Sequence, residues 1–191
     1  QEVGVSTVVI KISPPAIGAK LVVDSMPVRI KRNGTLLKLL GSPVAVTTNG
    51  SLLNRDDVRR DLHRADWVSL KVDAGAEANW RRVNRPHEIV RFDTVVQGMR
   101  TFAGTFDGHL STETVLVDGL NTSPHDLETT ADLCAVLGPD TAYLSTPSRP
   151  PADPACRPPS SNTMALAETI FSERLAVVVS PNDAAVPSSR G

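Results

Sequence analysis

PVAVTTNGSLLNRDDVRRDLHRADWVSLKVDAG, from Pro43 to Gly75, reads as one complete βαβ unit. Val44 to Val46 is a short apolar run that leaves through the polar turn Thr47-Thr48-Asn49-Gly50. Asn54 stands where a side-chain oxygen caps a helix, and Asp56 and Asp57 fall in its first turn, where the helix dipole favours negative charge. Val58, Leu62 and Ala65 recur at helical spacing and give that helix one apolar face. Trp67 to Val72 is the second apolar run, and it too ends in polar residues: Lys71, Asp73 and Gly75. Two parallel strands joined by a helix bring both polar ends to one face. That is the face on which α/β proteins keep their sites.

Outward from this unit, the bounds are simple. The 191 residues are expected to make one domain, or one domain and a small tail. Lys and Arg number 20 against 21 Asp and Glu, so bulk charge does not advertise a polyanion partner. Apolar residues make up 40% of the chain, enough for a core. The longest aliphatic run, Leu175 to Val179, is far too short to span a bilayer. No charged region followed by an apolar one opens the chain, so a soluble cytoplasmic protein is expected. Cys134 and Cys156 are too few for a disulfide scaffold.

Upstream, residues 1 to 42 form a divergent segment without clear rhythm. Ser6 to Ile12 reads as a strand stopped by Ser13-Pro14-Pro15. Leu21 to Val23 is a short strand or part of a loop, and Lys31 to Leu40 is a helix interrupted by Asn33-Gly34. Downstream the rhythm is regular. Glu77 to Val83 reads as a short helix that Arg85-Pro86 ends. Ile89, Phe92, Val96, Met99, Ala103 and Phe106 fall at steps of three and four, an amphipathic helix. His109 to Val117 is a strand. Ser123-Pro124 opens a helix whose buried face is Leu127, Ala131, Cys134 and Leu137. Thr141 to Thr146 is the next strand and leaves into a proline-rich loop. Ser160 or Ser161 caps a last helix with Met164, Ala167 and Phe171 inward, and Ala176 to Ser180 is the final strand. Residues 182 to 191 have the composition of a frayed tail. The repeated βα order predicts an α/β fold, a parallel sheet with outer helices. A closed eight-unit barrel needs about 250 residues. The chain has room for about six strands, so residues 43 to 181 are expected to form a partial (βα)6 TIM-like barrel.

Chemistry then belongs to the strand exits, at Thr47 to Ser51, Lys71 to Asp73, Glu113 to Asn121 and Ser145 to Arg149. Their hydroxyls, amides, lysine, arginine and carboxylates suit a polar ligand of nucleoside or amino-acid type. No Ser-His-Asp or Cys-His spacing points to nucleophilic catalysis. Taken singly, Asn49-Gly50 is a plain turn and Asp73 a helix cap. Glu113 falls inside an apolar strand, where an unpaired carboxylate is costly, so it is expected to face a partner or ligand. The four histidines, at 63, 87, 109 and 125, show no metal spacing, and no metal is assigned. Arg81, Arg82, Arg85 and Arg91 form a basic cluster, either a solvated helix face or a phosphate contact to an RNA substrate.

Six short motifs, in order, carry a resemblance. They are Thr48 to Leu53, Ala65 to Ala74, Val83 to His87, Thr112 to Thr114, Val117 to Asn121 and Thr146 to Pro151. Together they resemble the later strands of radical S-adenosylmethionine (radical SAM) proteins. The nearest group is the iron–sulfur oxidoreductases that include the wyosine-type tRNA-modifying enzymes. The resemblance implies a partial barrel whose [4Fe–4S] cluster reductively cleaves S-adenosylmethionine to a 5′-deoxyadenosyl radical. It implies that Thr48, Asn49 and Gly50 lie beside the cofactor's amino-acid end or ribose, and that Lys71 and Asp73 line the cavity floor. It also implies that Glu113 faces the cofactor's polar groups and that Ser145 and Thr146 run past the adenine.

The departure is as informative. The family's cluster hangs on Cys-x3-Cys-x2-Cys after the first strand, and this sequence has no such motif. Its two cysteines lie 22 positions apart, Cys134 as a buried apolar residue and Cys156 as a free surface thiol. The Gly-Glu-Pro turn that grips the methionine amino group is also missing, and Ser13-Pro14-Pro15 stands near its place. The expectation is a truncated or degenerate family member, with a non-catalytic nucleoside- or RNA-binding scaffold as the alternative. The substrate is RNA, a peptide or a small molecule, and a partner or further segment covers the open barrel edges.

Overall fold

The computed structural model describes residues 8–12, 20–23, 26–29, 44–147 and 156–180. In chain order the elements are β1 (Val8–Ile12), β2 (Lys20–Val23), β3 (Met26–Arg29), β4 (Val44–Thr48), α1 (Asp56–Leu62), β5 (Trp67–Lys71) and α2 (Glu77–Asn84). There follow α3 (Phe92–Ala103), β6 (His109–Val115), α4 (Pro124–Leu137), β7 (Thr141–Ser145), α5 (Ser161–Ser172) and β8 (Val177–Val179). One six-stranded sheet has the order β1-β4-β5-β6-β7-β8, and β2-β3 is a separate antiparallel pair. The pairs β1/β4, β4/β5 and β7/β8 are parallel. From β4 onward, helices join successive strands of the sheet, which is the expected α/β architecture. Expected strands at Ser6 to Ile12 and Leu21 to Val23 fall on β1 and β2, while β3 was not expected. The helix expected at Lys31 to Leu40 lies outside the described residues.

The chain divides into two units. One comprises residues 1–71, 87–112 and 137–140, and the other residues 72–86, 113–136 and 141–191. In the first, Val46 pairs with Val68 and Thr48 with Leu70, and these four side chains are buried. Thr47 pairs with Ser69 on the opposite, half-buried face. A β-strand alternates its side chains, so one face goes to the apolar core and the other keeps polar groups. Leu62 of α1 and Val95, Met99 and Phe102 of α3 are buried in the same unit. Full burial of a side chain such as Phe102 contributes about 1.5–3 kcal/mol. The second unit repeats the pattern. Ala142 and Leu144 of β7 are buried and alternate with half-buried Thr141, Tyr143 and Ser145, while Ala167, Ile170 and Phe171 of α5 are buried. Ser160 caps α5 as expected, its hydroxyl accepting the Thr163 N–H.

Two aspartates close the strand starts of the first unit in the same way. Asp66, one residue before β5, accepts the Val44 N–H on its carboxylate at 2.8 Å, and its own N–H donates to the Val44 oxygen. Asp140, one residue before β7, does the same for Leu110. Each carboxylate satisfies an amide at the end of the neighbouring strand, where the ladder runs out.

Four local expectations need correction. Asn54 does not cap α1: the capping position is Arg55, without a side-chain cap bond. The turn that begins at Gly50 continues through Leu53 and Arg55, whose N–H groups donate to the Gly50 and Leu52 oxygens, so the helix starts later. Ala65 is buried, but in the turn after α1. The stripe on α3 is rotated from the expected one. Val95, Gly98, Met99 and Phe102 are buried, whereas Ile89 precedes the helix at 79% exposure and Phe106 follows it. The cause is Gly98. A Cβ there would stand 2.6 Å from the Leu53 carbonyl carbon and the Asn54 nitrogen, so the helix turns its bare position toward that backbone. Finally, β6 ends at Val115, not Val117, because the Val117 N–H turns to the Asn121 side chain at 2.8 Å.

Candidate functional site

In the first unit, β4 leaves the sheet into Thr48-Asn49-Gly50-Ser51. The Thr48 hydroxyl, 6% exposed, accepts the Gly50 N–H at 3.1 Å. The Asn49 side-chain oxygen accepts both the N–H and the hydroxyl of Ser51, at 3.2 and 2.9 Å. Gly50 has φ +70°, and a Cβ there would meet the Met99 methyl at 2.4 Å. The turn therefore requires glycine twice over, for its backbone and for its seat on α3. Thr48, Asn49 and Gly50 are thus brought together in one rigid turn. Lys71, the last residue of β5, is half-buried in the same unit.

The second unit holds Asp73, Glu113, Ser145 and Thr146. The Val72 N–H donates to the Glu113 oxygen at 2.9 Å, and the Leu116 N–H to the Ser145 oxygen at 2.8 Å. These bonds tie the β5 exit to β6, and the residue after β6 to the end of β7. Asp73 is 4% exposed. Its carboxylate accepts from the Val115 N–H at 3.0 Å and from the Asn84 amide at 2.9 Å. Asn121, 1% exposed, donates its amide to the main-chain oxygens of Asp73 and Val115, each at 2.9 Å. The Thr114 hydroxyl donates to the Val72 oxygen at 2.7 Å. Glu113, Ser145 and Thr146 are half-buried, and among the described residues the Glu113 carboxylate takes no hydrogen bond.

The supporting helices close on this network. The Gly75 N–H donates to the Thr130 hydroxyl at 3.1 Å, and a Cβ at Gly75 would lie 1.9 Å from the Thr129 oxygen. Arg82 donates to the Asn79 side-chain oxygen and to the Leu120 carbonyl, and Arg81 pairs with Glu77. Asn84 ends α2, and Arg85 follows in the left-handed conformation at φ +43°. The hydrogen bonds of Asn84 and Asn121 escape a reading of the sequence, although Asn121 closes the exit Glu113 to Asn121. Both sit inside quoted motifs, yet an amide near a chain turn reads as a turn residue. Their partners stand 11 and 48 positions away.

Thiol chemistry is confined. Cys134 is 0% exposed on α4, and Cys156 is a half-buried free thiol. Iron–sulfur clusters hang on sets of cysteine thiolates. With two cysteines, one of them sealed in the core, this chain's residues do not fit a [4Fe–4S] cluster. Among the described residues, no group of three or more His, Cys, Asp or Glu could hold a metal ion. Nor is any helix there long and apolar enough to cross a membrane.

No family model matches the sequence. The chain is 34% identical over 149 residues to a UPF0026 protein of Methanocaldococcus jannaschii, an alignment covering 78% of this chain and 46% of that protein. It is 32% identical over 131 residues to a UPF0026 protein of Synechocystis sp., covering 65% and 48%. The chain therefore spans less than half the length of these relatives. Among solved structures, a domain of a pyruvate-formate lyase-activating enzyme from Bacteroides vulgatus superposes with a TM-score of 0.60 at 17% identity, over 75% of this chain and 84% of that one. A radical SAM methyltransferase from Sphaerobacter thermophilus gives 0.57 at 21% identity, over 74% and 42%. TYW1 with a lysine-pyruvate adduct bound gives 0.59 at 12% identity, over 74% and 44%. In sequence this chain is similar to UPF0026 proteins, and its parallel α/β fold is the one that radical SAM enzymes use.

Proposed function

We propose that this chain forms the later strands of a radical SAM-type partial barrel and binds S-adenosylmethionine, or a related nucleoside, at its strand exits. The observation that supports this most is the fold likeness to radical SAM enzymes, together with polar, half-buried residues at the ends of β4 to β7. In this reading Thr48, Asn49, Gly50 and Lys71 are the candidate ligand contacts of the first unit, taken by itself. In the second unit, taken by itself, Asp73 and Glu113 are the candidate contacts to polar groups, and Ser145 and Thr146 those to an adenine. The wyosine-type grouping belongs to the same proposal, and TYW1 is one of the structures that share the fold.

Reductive cleavage is the activity proposed for intact relatives. The two cysteines of this chain do not fit a cluster. The reading favoured for the 191 residues alone is ligand binding without cleavage, and the observation behind it is the burial of Cys134. Anaerobic reconstitution with iron and sulfide separates the two. The expected product is colourless and retains no stoichiometric iron. A brown protein with a broad visible charge-transfer band and about four irons per chain overturns the non-catalytic reading.

A further inference from the structure

We propose that α2 is a lid over the exits at Asp73 and Asn121, within the second unit, and that it lifts by local melting once a latch at Arg82 releases. This goes beyond the ligand reading above and stands whether or not a nucleoside binds at these exits.

The sequence of α2, Glu-Ala-Asn-Trp-Arg-Arg-Val-Asn, has little to bury. Its one buried residue is Asn79, while Trp80 and Val83 are half-buried. The other helices of the unit are anchored differently. Leu127, Ala131 and Cys134 of α4 are buried, and so are Ala167, Ile170 and Phe171 of α5. A segment with few buried apolar side chains stands at the low end of local stability. Eight residues are also too few for a helix to persist in water by itself, and the exposed Arg81–Glu77 pair one turn apart adds little. When α2 leaves its seat, it melts.

What holds α2 closed is polar. Before the helix, the Gly75 N–H donates to the Thr130 hydroxyl at 3.1 Å, and the bare Gly75 position sits against the Thr129 backbone. That end is pinned and serves as the pivot. Toward the other end, Arg82 donates to the Leu120 carbonyl and pairs with Asp126 at 3.8 Å, and the Asn84 amide reaches Asp73 at 2.9 Å. The Arg82 side chain is 53% exposed, and an ion pair so open to water is weak. The closed seat is incomplete as well. The Asn79 side-chain nitrogen and the Asn84 side-chain oxygen are shielded from solvent and make no hydrogen bond among the described residues. Each gives up its hydration on closing and recovers it on lifting, which narrows the gap between the two states.

Hydrogen exchange on the whole chain tests this without any ligand. The amides of Trp80 to Arg85 are compared with those of Leu127 to Cys134 in α4, in buffer and in urea below the unfolding transition. The α2 amides are expected to exchange about a hundredfold faster or more. Their rate should not respond to urea, because so small an opening exposes little surface. Arg82→Ala should speed them about tenfold further and leave the α4 amides unchanged. Exchange of α2 at the α4 rate, with the same response to urea, overturns the lid. So does an Arg82→Ala chain in which α2 and α4 lose protection together. An Arg82→Ala chain whose α2 amides exchange as in wild type overturns the latch.

Discussion

The side-chain amide of Asn121 donates to the main-chain oxygen of Asp73 at 2.9 Å, joining residues 48 positions apart in the chain. The same side chain donates to the Val115 oxygen and accepts from the Val117 N–H, so two buried main-chain groups and one part-buried group bond to it. Asn121→Ala removes all three of these bonds. At about 1 kcal/mol or more for each unsatisfied buried group, the expected loss is about 2–4 kcal/mol, read from urea unfolding midpoints. Asn121→Asp keeps the acceptor for Val117 but turns a carboxylate toward two carbonyl oxygens, and it should be at least as damaging. A loss below about 1 kcal/mol would show that the β5 and β6 exits do not rely on this residue.

Gly75 and Gly138 separate packing from backbone conformation. Gly138 has φ +60° and open space around its missing Cβ, so Gly138→Ala should cost about 1 kcal/mol of left-handed strain. At Gly75 a Cβ would collide with the backbone of α4 at Thr129, and helix backbone yields little. Gly75→Ala is therefore expected to cost about 3 kcal/mol or more, or to prevent folding. Thermal melting of the two variants side by side tests the order, and the reverse order would refute it.

Asp66 offers a milder test of how the strand starts are held. Asp66→Ala leaves the Val44 N–H without its 2.8 Å partner and should destabilise by about 1 kcal/mol. Asp66→Asn retains an acceptor oxygen and should recover most of that. Equal losses in the two variants would mean that charge, not acceptance, is what Asp66 contributes.

The two cysteines should differ sharply toward an alkylating reagent. Cys134 is sealed inside the core and Cys156 is half-buried. In native buffer, mass spectrometry should find Cys156 modified quickly, and Cys134 only as fast as the protein opens. Modification of Cys134 at the rate of Cys156 would contradict the placement of α4.

Much of this architecture was legible because its signals are local. The unit from Pro43 to Gly75 alternates and breaks as a βαβ segment should, and Ser160 and Ser123 announce their helices. What was misread depends on partners distant in the chain. The phase of α3 is set by Gly98 meeting the Leu53–Asn54 backbone, and a periodic count of apolar residues ignores a glycine. The start of α1 slid past Asn54 because a turn bound to Gly50 intervenes. Thr48, Asn49 and Asp73 are legible as polar residues at strand exits, and Gly50 as their turn. Asn84 is not, and Asn121 is legible only as the end of an exit loop, since an amide's role is recognised only through what it touches.

The central claim is that the strand exits bind S-adenosylmethionine or a close nucleoside relative, and a melting series with that ligand tests it most directly. A ligand that binds only the folded state stabilises it by about 2.7 kcal/mol at a hundred times its Kd. For a chain of this size that is a rise of about 5–10 °C in Tm, growing with the logarithm of ligand concentration. That rise is the expected result. A Tm unmoved up to millimolar S-adenosylmethionine, with adenosine equally without effect, would contradict it.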